Sequence, residues 1–392
     1  MSNESRIYRF DHIAENITVR VEPADTDLER YVGLEHLDPE SLKLRRWGSP
    51  ADVIGQKLKF WKGDIIYGKR RAYQRKLAVA DFDGICSAHA MVLRAKQDVI
   101  LPELLPFFLQ SEIFHQRAME ISVGSLSPTI NWSALAKQEF PLPPVDEQRR
   151  IADLLWAADD SILRQEELIL ATLNAKVSLR QEFLSKGISV LSDTTKSKSN
   201  PSTWAEVPLR DACVAIIDCP HTTPNVIASG VLVLRNFNIK NGKLLLDDPS
   251  YTTEEEYLER IRRLEPKPGD VVFSREAPLG EATVIPENMR ISLGQRTMMF
   301  RPKQEILMSQ FLVEYIYAPK SQQKLFSLSI GTTASHVNVE DMRSFLIKLP
   351  PIEEQKEMVK VIQSFDIAVS AAEENLKNLK NVKSQILNTY LA

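Results

Sequence analysis

The chain has 392 residues and a formal net charge of −3, is 43% hydrophobic and 26% charged, and contains 14 Gly and 22 Pro. That length exceeds one ordinary core and suits two globular domains with connecting elements. The composition excludes fibrous and disordered classes, and the slightly acidic balance excludes a uniformly basic nucleic-acid coat, so any such surface must be local.

In chain order, the start MSNESRIYRF lacks the apolar stretch of a secretory signal, and no window reaches the roughly 18 apolar residues of a membrane helix. Cys86, Cys213 and Cys219 include no Cys-x-x-Cys pair, so neither a metal site nor a disulfide framework is expected, and a reducing cytoplasm fits. Local charge appears between Lys57 and Lys76, where eight Lys or Arg face a single acid, Asp64, with Phe60, Trp61, Tyr67 and Tyr73 interleaved. The segments GDIIYG (63–68) and AMVLRA (90–95) read as strands, and LPELLPFFLQSEIFHQRAME (101–120) reads as helix. A Gly-Ser turn at 124–125 precedes Pro143-Pro144, after which residues 145–186 contain neither Pro nor Gly and read as one long helix.

Gly187 and the polar run from Ser192 to Ser202 end that helix, and the pattern then repeats. An offset of 207 pairs Gly124 with Gly331, Asn131 with Asn338, Pro143-Pro144 with Pro350-Pro351, and Glu147-Gln148 with Glu354-Gln355. GDVVFS (269–274) answers GDIIYG at an offset of 206, a slip of one residue that loop variation within a duplication explains. VLVLRNF (231–237) and RTMMFRP (296–302) are further strands, MSQFLVEYIYAPKSQQKLF (308–326) is the second helical segment, and 352–392 is a second long helix.

The two long helices carry a seven-residue repeat. Leu155, Ile162, Ile169, Lys176 and Phe183 in the first match Ile362, Val369, Leu376, Lys383 and Tyr390 in the second, with Phe365, Ala372, Leu379 and Ile386 interleaved in the latter. Such stripes must bury against something, and an antiparallel coiled coil between the two helices is the economical arrangement. The recurrent Lys in each stripe either fixes register or snorkels at a helix edge.

The phrases GDIIYGKRRAYQRKLAVADFDGICS (63–87), GDVVFSREAPLGEATVIPE (269–287), LGQRTMMFRP (293–302) and the duplicated LPP…EQ before a long helix resemble the specificity subunits of type I restriction-modification systems. The resemblance covers most of the chain. It implies an α/β fold of the α+β type, in which two similar mixed α/β target-recognition domains are separated by two long helices forming an antiparallel coiled coil with a pseudo-two-fold internal repeat. Expected boundaries are 1–143 and 204–350 for the recognition domains, 144–188 and 351–392 for the spacer helices, and 189–203 for a polar linker. The implied role is non-catalytic: each domain reads half of a bipartite double-stranded DNA site, and the helices space the domains and dock two methyltransferase subunits. Restriction and translocase subunits join the full complex, and S-adenosylmethionine, ATP and Mg2+ belong to the partners, in a prokaryotic cytoplasm. The two halves have diverged around SPTINWS and ASHVNVE, as expected if each reads a different sequence.

Phosphates call for Lys and Arg, and base edges for Arg, Asn and Gln. The DNA-contact candidates are Lys69, Arg70, Arg71, Arg75 and Lys76 in the first domain, and Arg235, Asn236, Arg275, Gln295 and Arg296 in the second. The Gly turns add Ser125, Thr129, Asn131, Thr332, Thr333, His336 and Asn338. Each also reads as ordinary surface, salt bridge or turn chemistry. Glu147, Gln148, Glu354 and Gln355 either start their helices, their acids complementing the helix dipole, or touch a docked partner. An enzyme reading finds little support: Leu precedes each Pro-Pro where an adenine methyltransferase would have Asn or Asp, no P-loop occurs, and Asp81 and Asp83 near Lys76 read as turn acids. A stand-alone DNA-modifying or cleaving enzyme and a coiled-coil scaffold without DNA contact are the competing readings. No catalytic or metal-binding residue is expected.

Overall fold

The computed structural model describes residues 6–191, 200–220, 222–329 and 336–391. Residues 192–199 of the polar run, and the candidates Thr332 and Thr333, lie outside the described residues. The chain forms two compact units, Met1–Glu167 with Glu373–Ala392, and Leu168–Ala372.

Each unit is built around a four-stranded antiparallel sheet. In the first the order is Ala14–Ile17, Ala90–Ala95, Ile65–Gly68, Leu77–Val79. In the second it is Cys213–Asp218, Thr297–Pro302, Val271–Ser274, Ala282–Val284. The continuous apolar runs at the centre reflect burial on both faces. Ile65 and Tyr67 point into one core while Ile66 points into another, and Val271 and Phe273 are likewise separated from Val272. Period-two alternation therefore divides one apolar strand between two cores. The registers correspond: Ile65 faces Leu93 and Tyr67 faces Met91, as Val271 faces Phe300 and Phe273 faces Met298.

A second sheet in each unit holds one parallel pair, Tyr31–Val32 with Gly84–Cys86 and Val231–Leu234 with Ile291–Leu293. A short antiparallel ribbon, Arg6–Arg9 with Glu139–Leu142 or Ala205–Pro208 with Leu346–Leu349, leads into each long helix. Mixed sheets and short helices of this kind give the α+β class expected from the sequence.

Each segment read as one helix before the Gly turn is two. The first breaks at Ser111, whose extended backbone lets its hydroxyl accept from Phe114 N–H and cap Glu112–Glu120. The second breaks at Ala318, held extended by the following Pro319.

The long helices span Val145–Lys186 and Ile352–Tyr390. In the first unit Asn375 meets Gln165 and Lys383 meets Asp159, so the helices run antiparallel. In the second, Lys176 meets Asp366 while Ile188 N–H, just beyond the first helix, meets Glu354. The expected seam is partly a head-to-helix interface. Leu155, with Ile386 from the second helix, belongs to the core of the first unit, and Ile362 to that of the second. Ile162 and Val369 are buried, whereas Ile169, Phe365, Leu376 and Leu379 are half-buried.

Candidate nucleic-acid interface

In the first unit the strand Ile65–Gly68 ends at Lys69 and Arg70, and the chain returns beside it 60 residues later. Ile130 N–H donates to Lys69 O at 3.0 Å, and Arg70 and Thr129 form an antiparallel bridge. The second unit builds the same junction: Val337 N–H donates to Arg275 O at 3.0 Å, and Glu276 bridges His336. Asn131 and Asn338 stand at the corresponding next position, each exposed at the N-cap of a short helix, Trp132–Leu135 or Val339–Ser344, without bonding it. Residues chosen from two separate stretches of sequence thus meet, once per unit.

The first junction is basic. Arg70 and Arg71 are exposed, and Arg71 adopts a left-handed backbone with φ 55°. Lys69 is half-buried, and burial together with nearby Arg20 holds its ammonium below the usual lysine range. His89 is exposed, and its ring lies 3.3 Å from the Arg70 guanidinium. Its pKa is lowered by desolvation and then by Arg70, Lys69 and Lys57, so these cations share one patch. Arg75 and Lys76 are committed elsewhere: Arg75 pairs with Glu112 at 2.7 Å and Lys76 donates to Leu34 O at 2.9 Å. Ser125 is exposed on the adjoining loop, while the Thr129 hydroxyl donates to Ser127 O.

The second junction carries its own counter-charges. Arg275 pairs with Asp218 at 2.8 Å, both largely buried, and Arg296 pairs with Glu276 at 2.8 Å while remaining half-exposed. With Gln295 and Cys219, the residues Arg275, Glu276 and Arg296 line a cleft of about 90 Å³. Asn236 is buried, its amide donating to Ala277 O at 2.7 Å, so it fastens the loop instead of facing outward. Arg235 is half-buried over the Phe237 ring.

Selection from sequence missed Arg20, Lys57 and His89. The offset of 207 that relates Met91 to Met298 on this strand carries Arg296 back to His89, so the repeat itself held that signal. Nothing local marks Arg20.

The helix-start amides require a correction. Gln148 and Gln355 are 1% and 0% exposed, which removes them from any docking surface. Each amide nitrogen donates to two carbonyls, Val99 and Pro143 or Ile306 and Pro350. Each amide oxygen accepts from a backbone N–H, that of Leu101 or Met308. The Gln of each Glu-Gln pair is a fastener between helix start and recognition domain. Glu147 lies beside Arg150, and Glu354 accepts from Ile188 N–H.

No helix among the described residues is long and apolar enough to cross a membrane, and no group of His, Cys, Asp and Glu there is arranged to hold a metal ion. Comparison with known proteins finds the type I restriction modification DNA specificity domain matched twice, at residues 51–175 and 201–381. A specificity subunit of the type I restriction enzyme MjaVIII from Methanocaldococcus jannaschii is 24% identical over 341 residues, covering 84% of this chain and 75% of that protein. The type I restriction enzyme EcoDI specificity subunit of Escherichia coli is 29% identical over 183 residues, 45% of this chain and 40% of the relative. Among solved structures, a chain from work on assembly and conformational transition of the type I R-M system aligns with a TM-score of 0.61 and 21% identity, covering 100% of this chain and 98% of the other. The S subunit of the type I system from M. genitalium aligns with a TM-score of 0.56 and 14% identity, covering 98% and 96%. With the specificity domain matched in both halves and the fold shared along the whole chain, this protein belongs to the family of type I restriction-modification DNA specificity subunits.

Proposed function

We propose that each unit reads one half of a bipartite site on double-stranded DNA, and that the chain itself catalyses nothing. The observation that carries this is the twice-built junction of strand end and return loop, which gathers Lys69, Arg70, Thr129 and Asn131 in one unit and Arg275, Glu276, His336 and Asn338 in the other. The first junction supplies open guanidinium groups for phosphates, and the second offers Arg296 and Gln295 near a cleft suited to base edges. The domains are proposed at 1–143 and 204–350, with 144–188 and 351–392 as spacer helices.

Methyltransferase subunits dock on the spacer helices. Within the second unit Leu170, Leu173 and Val177 form an exposed apolar stripe at helical spacing, the kind of surface a partner covers. S-adenosylmethionine, ATP and Mg2+ act on the partners, including any restriction and translocase subunits, in the cytoplasm of a prokaryote.

Sequencing the methylated sites of a host that carries this chain with its modification subunit tests the reading. Two short motifs at a fixed separation are expected, and one continuous motif would overturn it. Reversing charge at Arg70 and Arg71 should weaken binding across all sequences and lower the slope of log affinity against log salt, by up to about 0.9 for each phosphate no longer neutralised. An unchanged slope removes these two residues from the phosphate-binding surface.

A further inference from the structure

Among the described residues, Ile54 and Leu126 are the most exposed large apolar side chains, at 93% and 92%. Single exposed hydrophobes are common on proteins, but the setting of Leu126 is particular. It stands in the loop VGSLSPT, 123–129, otherwise composed of small or polar residues apart from Val123. Reciprocal backbone bonds close the loop, Val123 N–H to Thr129 O at 3.0 Å and Thr129 N–H to Val123 O at 2.9 Å. Gly124, at φ 105°, supplies the left-handed turn that a side chain would resist. The loop is pinned to the strand end below it: Ala72 N–H donates to Pro128 O at 3.2 Å and Ile130 N–H to Lys69 O at 3.0 Å.

The result is an apolar tip on a short, braced support beside exposed Arg70 and Arg71. Bracing means that little ordering entropy is lost when the tip is buried. A protein ligand would present apolar surface around such a tip, but a surface this cationic selects a polyanion, and the apolar space a DNA duplex offers lies between its stacked bases. We propose that Leu126 enters the duplex as a wedge at one base step of the half-site read by the first unit, with Arg70 and Arg71 on the flanking phosphates. Apolar side chains that enter base steps from the minor groove partly unstack them and kink the duplex, and pyrimidine–purine steps yield most readily. Leu126 thereby contributes to specificity without a hydrogen bond to any base. The inference rests on the DNA-reading function proposed above.

The test uses the full chain assembled with its modification subunits, on the site identified by methylation sequencing, with 2-aminopurine replacing each adenine of the first half-site in turn. Apart from the adenine that the modification subunits extrude for methylation, which brightens with either protein, wild type should raise the fluorescence at one further step, and Leu126→Ala should abolish that further rise alone. The variant should also bind the site about ten-fold more weakly, as expected for removing one buried aliphatic side chain, with an unchanged salt slope because the arginines still hold their phosphates. Leu126→Met should restore both signals. Ile7→Ala, which truncates another exposed apolar side chain of the same unit, should leave both unchanged. Equal fluorescence and affinity for wild type and Leu126→Ala overturn the wedge alone, as does an equal loss from Ile7→Ala. A wild-type complex that fails to bind the duplex overturns the DNA-reading function together with the wedge.

Discussion

Gly63-Asp64 and Gly269-Asp270 show what a repeated dipeptide does. Each Gly adopts a left-handed backbone, at φ 91° and 87°, with open space where a Cβ would stand. Asp64 then accepts from Trp61 N–H at 2.8 Å and from Arg94 at 2.7 and 3.0 Å. Asp270 repeats this with Lys267 N–H at 2.8 Å and Arg301 at 2.8 and 2.7 Å. Both carboxylates are almost fully buried, at 1% and 2% exposure. Removing the charge-assisted bonds in Asp64→Asn or Asp270→Asn should cost about 2–3 kcal/mol in denaturant unfolding. Gly63→Ala, which meets only backbone strain, should cost about 1 kcal/mol. An Asp64→Asn change smaller than the Gly63→Ala change would contradict this ranking. The dipeptide was legible as a motif because it occurs twice. Its arginine partner lies some 30 residues away on the neighbouring strand, where no local pattern announces it, although the offset of 207 does place Arg94 on Arg301.

The long helices carry the same lesson at the level of elements. Lys176 and Lys383, which either fix register or snorkel when read from sequence, do not reach water. Lys383 pairs with Asp159 at 2.6 Å, with 10% and 5% of the side chains exposed, and Lys176 pairs with Asp366 at 2.5 Å, with 6% and 32% exposed. Each pair maps onto the other at an offset of 207 with the helices exchanged. Each buried ammonium meets its carboxylate when the antiparallel helices are in one register, so a slip breaks both pairs and leaves the cations buried without a counter-charge. Asp159→Asn should therefore destabilise by about 3–5 kcal/mol, and Asp366→Asn by less because Asp366 is partly solvated. Replacing both partners, Lys383→Met with Asp159→Leu, should recover most of the loss in thermal melts. A double variant no more stable than Asp159→Asn would assign the cost to packing and not to the unpaired charge. The heptad pattern revealed that the helices pair, but not that their ends are core elements of the domains. Ile151, Ala152 and Leu155 continue the apolar core of the first unit as Met358, Val359 and Ile362 continue that of the second.

At the scale of the whole chain, duplication was legible and the course of each compact unit was not, because a unit takes in helix from both copies of the repeat. The first joins Met1–Glu167 to Glu373–Ala392, with Ile386, Leu387, Tyr390 and Leu391 against its core. The second seats the end of the first long helix, where buried Arg180 pairs with Glu314 at 2.7 Å. At the same offset the first unit has Leu387 and Phe107, the first packed against the apolar core and the second within it, in place of the ion pair. The two helix ends are therefore not interchangeable: Leu at 180 would leave the Glu314 carboxylate buried without its partner, and Arg at 387 would set a second cation one turn from Lys383, whose ammonium already lies 5.4 Å from the centre of the Phe107 ring. This sets the rule for transplanting a recognition domain from a relative. A swap of 1–142 alone should change one half of the methylated bipartite motif and leave the other intact, while replacing the neighbours of native helix ends and so lowering stability. A swap of 1–167 together with 373–392 carries the matching helix ends and should produce the same change of motif with a higher melting temperature. If the longer graft melts no higher than the shorter one, contact between helix end and domain does not govern compatibility; if either graft alters both halves of the motif, the units do not read DNA separately.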